Sequence, residues 1–529
     1  MIFETVSVHS QSPRTSEDPE KKDGAFTSKE TQSPITTSSS SSVRDLELGP
    51  EKGYKTVTSQ SDPDPNLVVF DDDDPEKPLN WPTWKKVMHT VLYSVTAFGS
   101  QYNSAAMATP LPHIVNDMHV PRVVAILGTT LFMLGIAFGP MLFAPVSEVW
   151  GRKKGVLIPQ AISIAFTLGT ASSQSISAVL CTRFFAGLFA SSAIVSPGGV
   201  LADTWHASFR AAALVLYAYF VICGTVFAPT IGALLTNDSE HSWRWSLWFS
   251  CILNGVVLFL DAVLLSETYV PILLSRRAKR LRLETKNWAI HAKHDEWSLS
   301  ARELVTIHFA RPFAMLATPI VFCMACYASY VYGILYLIVT SIPDTFKTTR
   351  DWGYVVKTLP VMSMFLGVIV GGILNIWGSN RYRRIVEQNN GKCIPEERMF
   401  VMMWFGWLMP AGIFIFAWTS YESIHWVAPC VGIAFMGCGF FTIFQGCLNY
   451  LVDSFTTYAA SAVAANTFGR SVFGAVFPLF AHRLFENLGV QWGGSLIGFI
   501  GLGMIPIPWV FYYFGKSIRA RNPYLKLVT

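Results

Sequence analysis

From residue 86 onward the chain alternates long apolar stretches with short polar connectors, each stretch close to the length of about 20 residues at which an α-helix crosses a bilayer core. About twelve such runs stand out, over roughly 86–108, 122–144, 155–174, 178–200, 211–235, 244–266, 313–341, 353–376, 399–418, 424–450, 458–482 and 492–514. A polar stretch, Glu267–Arg311, parts the sixth run from the seventh. The pattern predicts an all-α integral membrane protein of twelve transmembrane helices in two six-helix bundles, at residues 81–266 and 312–515. A cytoplasmic loop at 267–311 joins the bundles, and a cytoplasmic tail at 516–529 follows them. Residues 1–80, with Ser/Thr-rich Thr36–Ser42 and acidic Asp71–Asp74, cannot bury a core and are expected to be a disordered cytoplasmic tail. The first residues lack the charged-then-apolar order of a cleavable signal, so the first span is expected to target the chain.

The two halves echo each other. Leu201-Ala202-Asp203-Thr204-Trp205 recurs as Leu451-Val452-Asp453-Ser454-Phe455, and Gly224-Thr225-Val226-Phe227 recurs as Gly474-Ala475-Val476-Phe477 at the same offset. A membrane protein whose halves repeat in parallel is most economically a pseudo-symmetric two-bundle transporter with its site between the bundles.

Composition agrees: at 529 residues, 51% hydrophobic and 14% charged, the chain has more apolar surface than a soluble fold can hide. Lys and Arg fix the expected orientation. With the N-terminus cytoplasmic, the inner loops carry roughly two dozen of them and the outer loops about five, the tail aside. Both termini are therefore expected in the cytoplasm, and the net charge of +5 reads as topology rather than nucleic-acid binding. The basic run Arg276, Arg277, Lys279, Arg280 and Arg282 is expected to form a short helix against the anionic inner leaflet. No cysteine falls in an outer loop, and Cys323 with Cys326 is assigned to helix packing rather than metal binding. Asn237-Asp238-Ser239 makes Asn237 a candidate glycosylation site on an outer loop.

Between the second and third runs stands Pro145-Val146-Ser147-Glu148-Val149-Trp150-Gly151-Arg152-Lys153-Lys154. Glu148 is placed to cap a helix N-terminus, and Arg152 to pair with a carboxylate such as Asp203, contacts that would latch the inner face in one state. Trp377-Gly378-Ser379-Asn380-Arg381 reads as a degenerate second copy of this loop. The loop resembles the signature of the major facilitator superfamily, with Glu148 where aspartate is usual. That resemblance implies a conformational latch of Glu148, Gly151, Arg152 and Asp203. Arg183-Phe184-Phe185-Ala186-Gly187 with Ser191 is similar to the superfamily signature that places a buried arginine in the proton pathway, implying that role for Arg183. Gly224, Pro229 and Gly232 resemble the hinge signature of superfamily antiporters, with Ala228 in place of a usual glycine. Pro78-Leu79-Asn80-Trp81-Pro82, Tyr332-Gly333-Ile334-Leu335-Tyr336, Arg470-Ser471 and Phe477-Pro478-Leu479-Phe480 extend the match. Residues 70–520 thus resemble the fungal twelve-span drug:proton antiporters, which export drugs, polyamines or secondary metabolites.

Candidate cavity residues follow from helical spacing. His89, Thr96, Ser100 and Asn103 share one face of the first span, and Thr442, Gln445 and Asn449 one face of the tenth; both polar stripes are expected to face a central cavity. Tyr327, Tyr330 and Tyr332 offer flat amphipathic surfaces, and Asn466 with Arg470 puts a costly charge within the eleventh span. No Asp or Glu lies near the middle of a span; Asp261, a turn from an inner end, is the one acid inside any, and the proton-coupling group stays unassigned. Without a central carboxylate, neutral or weakly acidic aromatic compounds fit better than polyamines. The expected function is secondary active export of small hydrophobic compounds in exchange for protons, with a facilitator or nutrient importer, or a polyamine exporter, as the alternatives. Scattered histidines argue against a membrane-embedded enzyme, and no nucleotide-binding loop is present. No cofactor or metal is expected. The partners are the small molecule, protons and the lipid bilayer; the protein is expected to act as a monomer in the plasma membrane, with the vacuolar membrane as the alternative.

Overall fold

The computed structural model describes residues 64, 66–237, 243–295, 309–389 and 392–522. The first half is built from α1 (Thr83–Ala105), a short α2 (Leu111–Met118), α3 (Arg122–Val149), α4 (Arg152–Ser172), α5 (Ile176–Ala190), α6 (Ser192–Thr204), α7 (Ala207–Leu235) and α8 (Arg244–Leu264). After α9 (Val270–Thr285), the second half comprises α10 (Arg311–Leu316), α11 (Pro319–Arg350), α12 (Ser363–Gln388), α13 (Phe400–Phe405), α14 (Leu408–Thr419), α15 (Val427–Ser454), α16 (Ala459–Met504) and α17 (Pro506–Ala520). Prolines stand at many starts: Pro82 and Pro121 at N-caps, Pro319 and Pro506 in first turns, where a missing N–H costs nothing.

Ten helical runs among the described residues are long and apolar enough to cross a membrane. The last of these, Ala459–Ala520, contains two crossings, because Gly489 (φ 71°, ψ 168°) breaks the helix inside α16. α1 is too polar to be counted with the ten, yet it packs against α7 and α8. α8 shows how bilayer burial is patterned. Ile252, Val256, Phe259 and Val263 are exposed on one face, while Ser250, Asn254 and Asp261 are buried on the other. That is the reverse of a soluble amphipathic helix, as lipid outside and polar partners inside require.

Within the first half α1 lies on α7, α3 on α5, and α4 on α5 and α8; within the second α11 lies on α16, α12 on α15, and α14 on α15 and α16. The halves meet through α3 with α16 and α7 with α12. The sequence repeat has a packing counterpart. A Cβ on Gly224 would lie 2.4 Å from the Phe98 carbonyl of α1, and one on Gly474 would lie 3.1 Å from the Tyr332 ring of α11. Each glycine thus admits the first helix of its own half.

Two expectations about the ends of the chain are corrected. Residues 66–80 are not free chain. Leu67 and His291 form a parallel bridge, Arg277 pairs with Asp74, and Arg280 Nη1 lies 3.6 Å from Glu76. The acidic run docks on the basic helix, so α9 meets the end of the tail as well as any lipid. Second, the helix continues past residue 516: Arg519, on the last turn of α17, holds Glu396 at 2.6 Å. Thr36–Ser42 lies outside the described residues.

Candidate functional site

Where the halves meet, the α1 amide of Gln101 donates to the Tyr332 hydroxyl of α11 at 2.8 Å, and Ser104 Oγ lies 2.6 Å from the Tyr336 hydroxyl. Arg470 of α16 is buried beside them, its guanidinium 5.2 Å from the Tyr332 ring and 5.0 Å from that of Phe444. Its Nε, both polar atoms of Asn466 and Oε1 of Gln445 are buried without hydrogen-bond partners. Phe440 stacks on Phe444 at 5.8 Å, and the Tyr217 hydroxyl of α7, within electrostatic range of Arg470, donates to the Ile194 carbonyl. Rings, one cation and unpartnered amides are the chemistry that receives an aromatic, neutral or anionic ligand.

Not every expected cavity residue is here. Tyr327 packs inside the second half, its hydroxyl 3.4 Å from where a Cβ on Gly406 would stand, and Tyr330 donates to the Ile497 carbonyl at 2.7 Å. Tyr332 and Tyr336, a turn apart on another face of α11, take the junction instead. Asn449, one turn beyond Gln445 on α15, is half-buried.

The α1 stripe is also corrected: it faces the interior of its own half. His89 is fully buried at the inner end, where its Nε2 accepts from Ser266 N–H at 3.0 Å and its Nδ1 faces the Lys85 carbonyl at 2.9 Å. Both ring nitrogens are occupied by backbone, so His89 is a structural tie. Ser100 bonds Gln160, which bonds Asn254; Asn103 bonds Thr167. The face of α1 toward the other half is one that spacing alone did not select, Gln101 and Ser104.

Arg183 closes this ladder. Its side chain is fully buried within the protein, with no carboxylate partner among the described residues. Nε donates to the Gly128 carbonyl at 3.1 Å, Nη1 to Asn103 Oδ1 at 3.0 Å, and Nη2 to the carbonyls of Asn103 at 3.0 Å and Ser104 at 3.3 Å. The guanidinium also lies 4.3 Å from the Phe132 ring. Through Ser104 it is one residue removed from the junction with Tyr336.

At the end of the bundle near Thr109 and Arg122 a cavity of about 240 Å³ draws on both halves, with Asp344, Lys357, His482 and Glu486 also among its walls. Arg122 of α3 pairs with Asp344 of α11, and the Tyr354 hydroxyl donates to the Thr109 carbonyl at 3.2 Å.

Residues 93–478 match the sequence profile of the Major Facilitator Superfamily. The chain belongs to this superfamily. It is 38% identical to the "Major facilitator superfamily multidrug transporter FLU1" of Candida albicans, over 93% of this chain and 81% of that one. It is 40% identical to "Efflux pump bik6" of Gibberella fujikuroi, over 88% and 96%. A citrinin biosynthesis cluster MFS transporter, mrr1 of Monascus ruber, is 39% identical over 86% and 91%. The fold is that of the MFS proton:xylose symporter XylE, matched with a TM-score of 0.59 at 12% identity over 82% of this chain and 97% of that one.

The superfamily-like loop is built around a residue its sequence did not point to. Gly151 has φ 93°, and Glu267, beyond α8, sets its carboxylate against it. Oε1 of Glu267 accepts from the N–H groups of Arg152 at 2.8 Å and of Thr268 and Tyr269 at 3.1 Å each. Glu267 therefore caps α4, the role expected of Glu148, which lies half-buried in the last turn of α3. Arg152 does approach Asp203, Nε to Oδ2 at 3.4 Å, and also donates to Ser147 Oγ at 2.8 Å. Both contacts stay within the first half, so they do not join the halves. In the second half Asp453, the repeat partner of Asp203, accepts from Arg398 at 2.7 Å and from Tyr382 at 2.8 Å. The expected second loop at Trp377–Arg381 is no loop: α12 runs through it to Gln388.

In α7, Gly224 makes a backbone contact with α1, and the carbonyl of Pro229 accepts from Thr109 at 3.0 Å. Gly232 has only ordinary contacts, the nearest at 3.5 Å. The helix is continuous from Ala207 to Leu235. Asn237 is exposed just beyond it, and the rest of its glycosylation pattern lies outside the described residues.

Proposed function

We propose that the protein exports small hydrophobic, aromatic compounds, neutral or weakly acidic, from the cytoplasm in exchange for protons. The observation that carries the substrate class is Arg470, buried between Tyr332 and Phe444 with Nε unpartnered and no acidic residue paired to it among the described residues. Such a site offers ring faces and one positive charge, and it repels a polyamine. The export direction is supported by relatives named as an efflux pump and a multidrug transporter. The halves, residues 81–266 and 312–515, rock about the α3–α16 and α7–α12 seams to expose Arg470 to each side in turn. Arg183 acts in the proton pathway through Asn103 and Ser104. Gly151, Arg152 and Asp203 steady the inner face beside Glu148, and Gly224, Pro229 and Gly232 let α7 slide on α1. The protein works as a monomer in the plasma membrane with both termini cytoplasmic, as the inner excess of Lys and Arg requires.

The test is uptake into inside-out vesicles of a panel of aromatic antifungals and a polyamine, with and without an imposed pH gradient. Gradient-driven uptake of the aromatics, reduced at least about tenfold by Arg470→Ala and by Arg183→Ala, is expected. Gradient-independent uptake refutes antiport, and polyamine uptake by the wild type refutes the substrate class.

A further inference from the structure

Three acidic side chains are buried among the described residues: Asp261, Glu267 and Glu396. Glu267 accepts three backbone N–H groups on Oε1 and has the Arg276 guanidinium 3.9 Å from Oε2, and Glu396 is held by Arg519 at 2.6 Å. Asp261 has neither kind of support. It is fully buried on the inward face of α8; Thr96 Oγ1 donates to Oδ2 at 2.6 Å, and Oδ1 has no hydrogen-bond partner.

The charged and titratable groups around it are committed elsewhere. On α4, Lys153 Nζ donates to the carbonyls of Ala262 at 2.9 Å and Leu265 at 2.7 Å, and Arg152 is held by Asp203 and Ser147. On α7, Arg210 donates to the carbonyls of Ala202 and Trp205. On α1, His89 is tied to backbone, and the buried Tyr93 hydroxyl, also unpartnered, lies in electrostatic range of both Asp261 and Glu267. A carboxylate solvated by one hydroxyl is poised to exchange its charge for a proton whenever solvent access changes.

We propose that Asp261 is the proton-binding residue of the transport cycle, taking up a proton on its carboxylate and releasing it to the cytoplasm when the inner face opens. The inference rests on the export reading above. The link to substrate is α1, which bonds Asp261 through Thr96 and, from another face, bonds Tyr332 and Tyr336 through Gln101 and Ser104. Ionised Asp261 grips Thr96 by a charge-assisted hydrogen bond; protonation loosens that grip and frees α1 to move against α11. Above Thr96, Ser100–Gln160–Asn254 and Asn103–Arg183 continue the polar ladder toward the outer half of the bilayer.

The experiment compares wild type with Asp261→Asn, both purified and reconstituted. Infrared pH titration reads the buried carboxyl directly, and gradient-driven export of an aromatic compound found to bind the wild type reads the cycle. Wild type is expected to show a protonated-carboxyl band that titrates with pH. Asp261→Asn lacks that band and loses gradient-driven export at least about tenfold. Gradient-driven export that survives in Asp261→Asn, or no titrating band in wild type, overturns the proposal. A wild type with the band but no export refutes the export reading instead and leaves the proton site standing. Should Asp261→Asn fail to fold, Thr96→Val is expected to move the pH midpoint of export by about one to two units, and an unmoved midpoint overturns the proposal.

Discussion

Gly151→Ala tests the inner face most sharply, because two separable costs meet at one atom. Gly151 has φ 93° and ψ 159°, a backbone region open essentially to glycine alone, so any side chain there costs about 1–3 kcal/mol. The new methyl would also stand 2.2 Å from Glu267 Oε2 and 2.7 Å from its Cδ. That carboxylate must shift, and its Oε1 holds three backbone N–H groups at 2.8–3.1 Å. Each hydrogen bond to a charged group contributes about 1.5–3 kcal/mol, so loosening one or two adds about 2–4 kcal/mol. The combined loss is about 3–7 kcal/mol, a large share of a typical folding free energy. Unfolding of the purified protein titrated with SDS in mixed micelles measures it. A double-mutant cycle with Glu267→Ala separates the two costs: backbone strain persists in the double mutant, but the clash is gone, so the effects fall short of additivity by about 2 kcal/mol. A Gly151→Ala protein within about 0.5 kcal/mol of wild type, or a strictly additive cycle, refutes the reasoning.

Arg183→Lys keeps the charge but loses the planar fork that reaches Gly128, Asn103 and Ser104 together, so export is expected to fall about as far as in Arg183→Ala; export near the wild-type level would show that charge alone suffices. Tyr332→Phe and Tyr336→Phe each remove one hydrogen bond between α1 and α11, weakening the junction by about 1 kcal/mol, and cysteine pairs placed across the cavity near Thr109 and Arg122 should cross-link more slowly in both variants. At the end of α2, the hydrogen bond from Trp243 (2.9 Å) and then that from Arg244 (2.8 Å) hold the Asp117 carboxyl below its ordinary value of 3.8. Because the folded value is the lower one, this contact stabilises the protein above about pH 4 and is lost as pH falls through the folded value. Trp243 fluorescence should report an acid transition that Asp117→Asn lacks.

Much of this protein was determined by its sequence. The length of the apolar runs set the fold class, because a bilayer core admits helices of one length and leaves each backbone to satisfy itself. The repeated Leu-x-Asp motif foretold two comparable halves, and Arg183 and Arg470 declared themselves by the cost of a charge in lipid. What spacing could not decide is which neighbour a face meets. The residues His89, Thr96, Ser100 and Asn103 do share a face, but that face turns into the first half rather than toward the second. On α11 the same ambiguity left only Tyr332 of the three named tyrosines at the junction, beside Tyr336, while Tyr327 and Tyr330 turn into the second half. Glu267 and Asp261 were legible only as acids near a span end. Their difference, three N–H groups against one hydroxyl, arises because tertiary packing brings the start of α4 to the chain beyond α8 and pairs no cation with Asp261 among the described residues. Helical period fixes which side chains stand together; only the docking of helices, about axes that a single sequence leaves free to rotate, decides what they stand against.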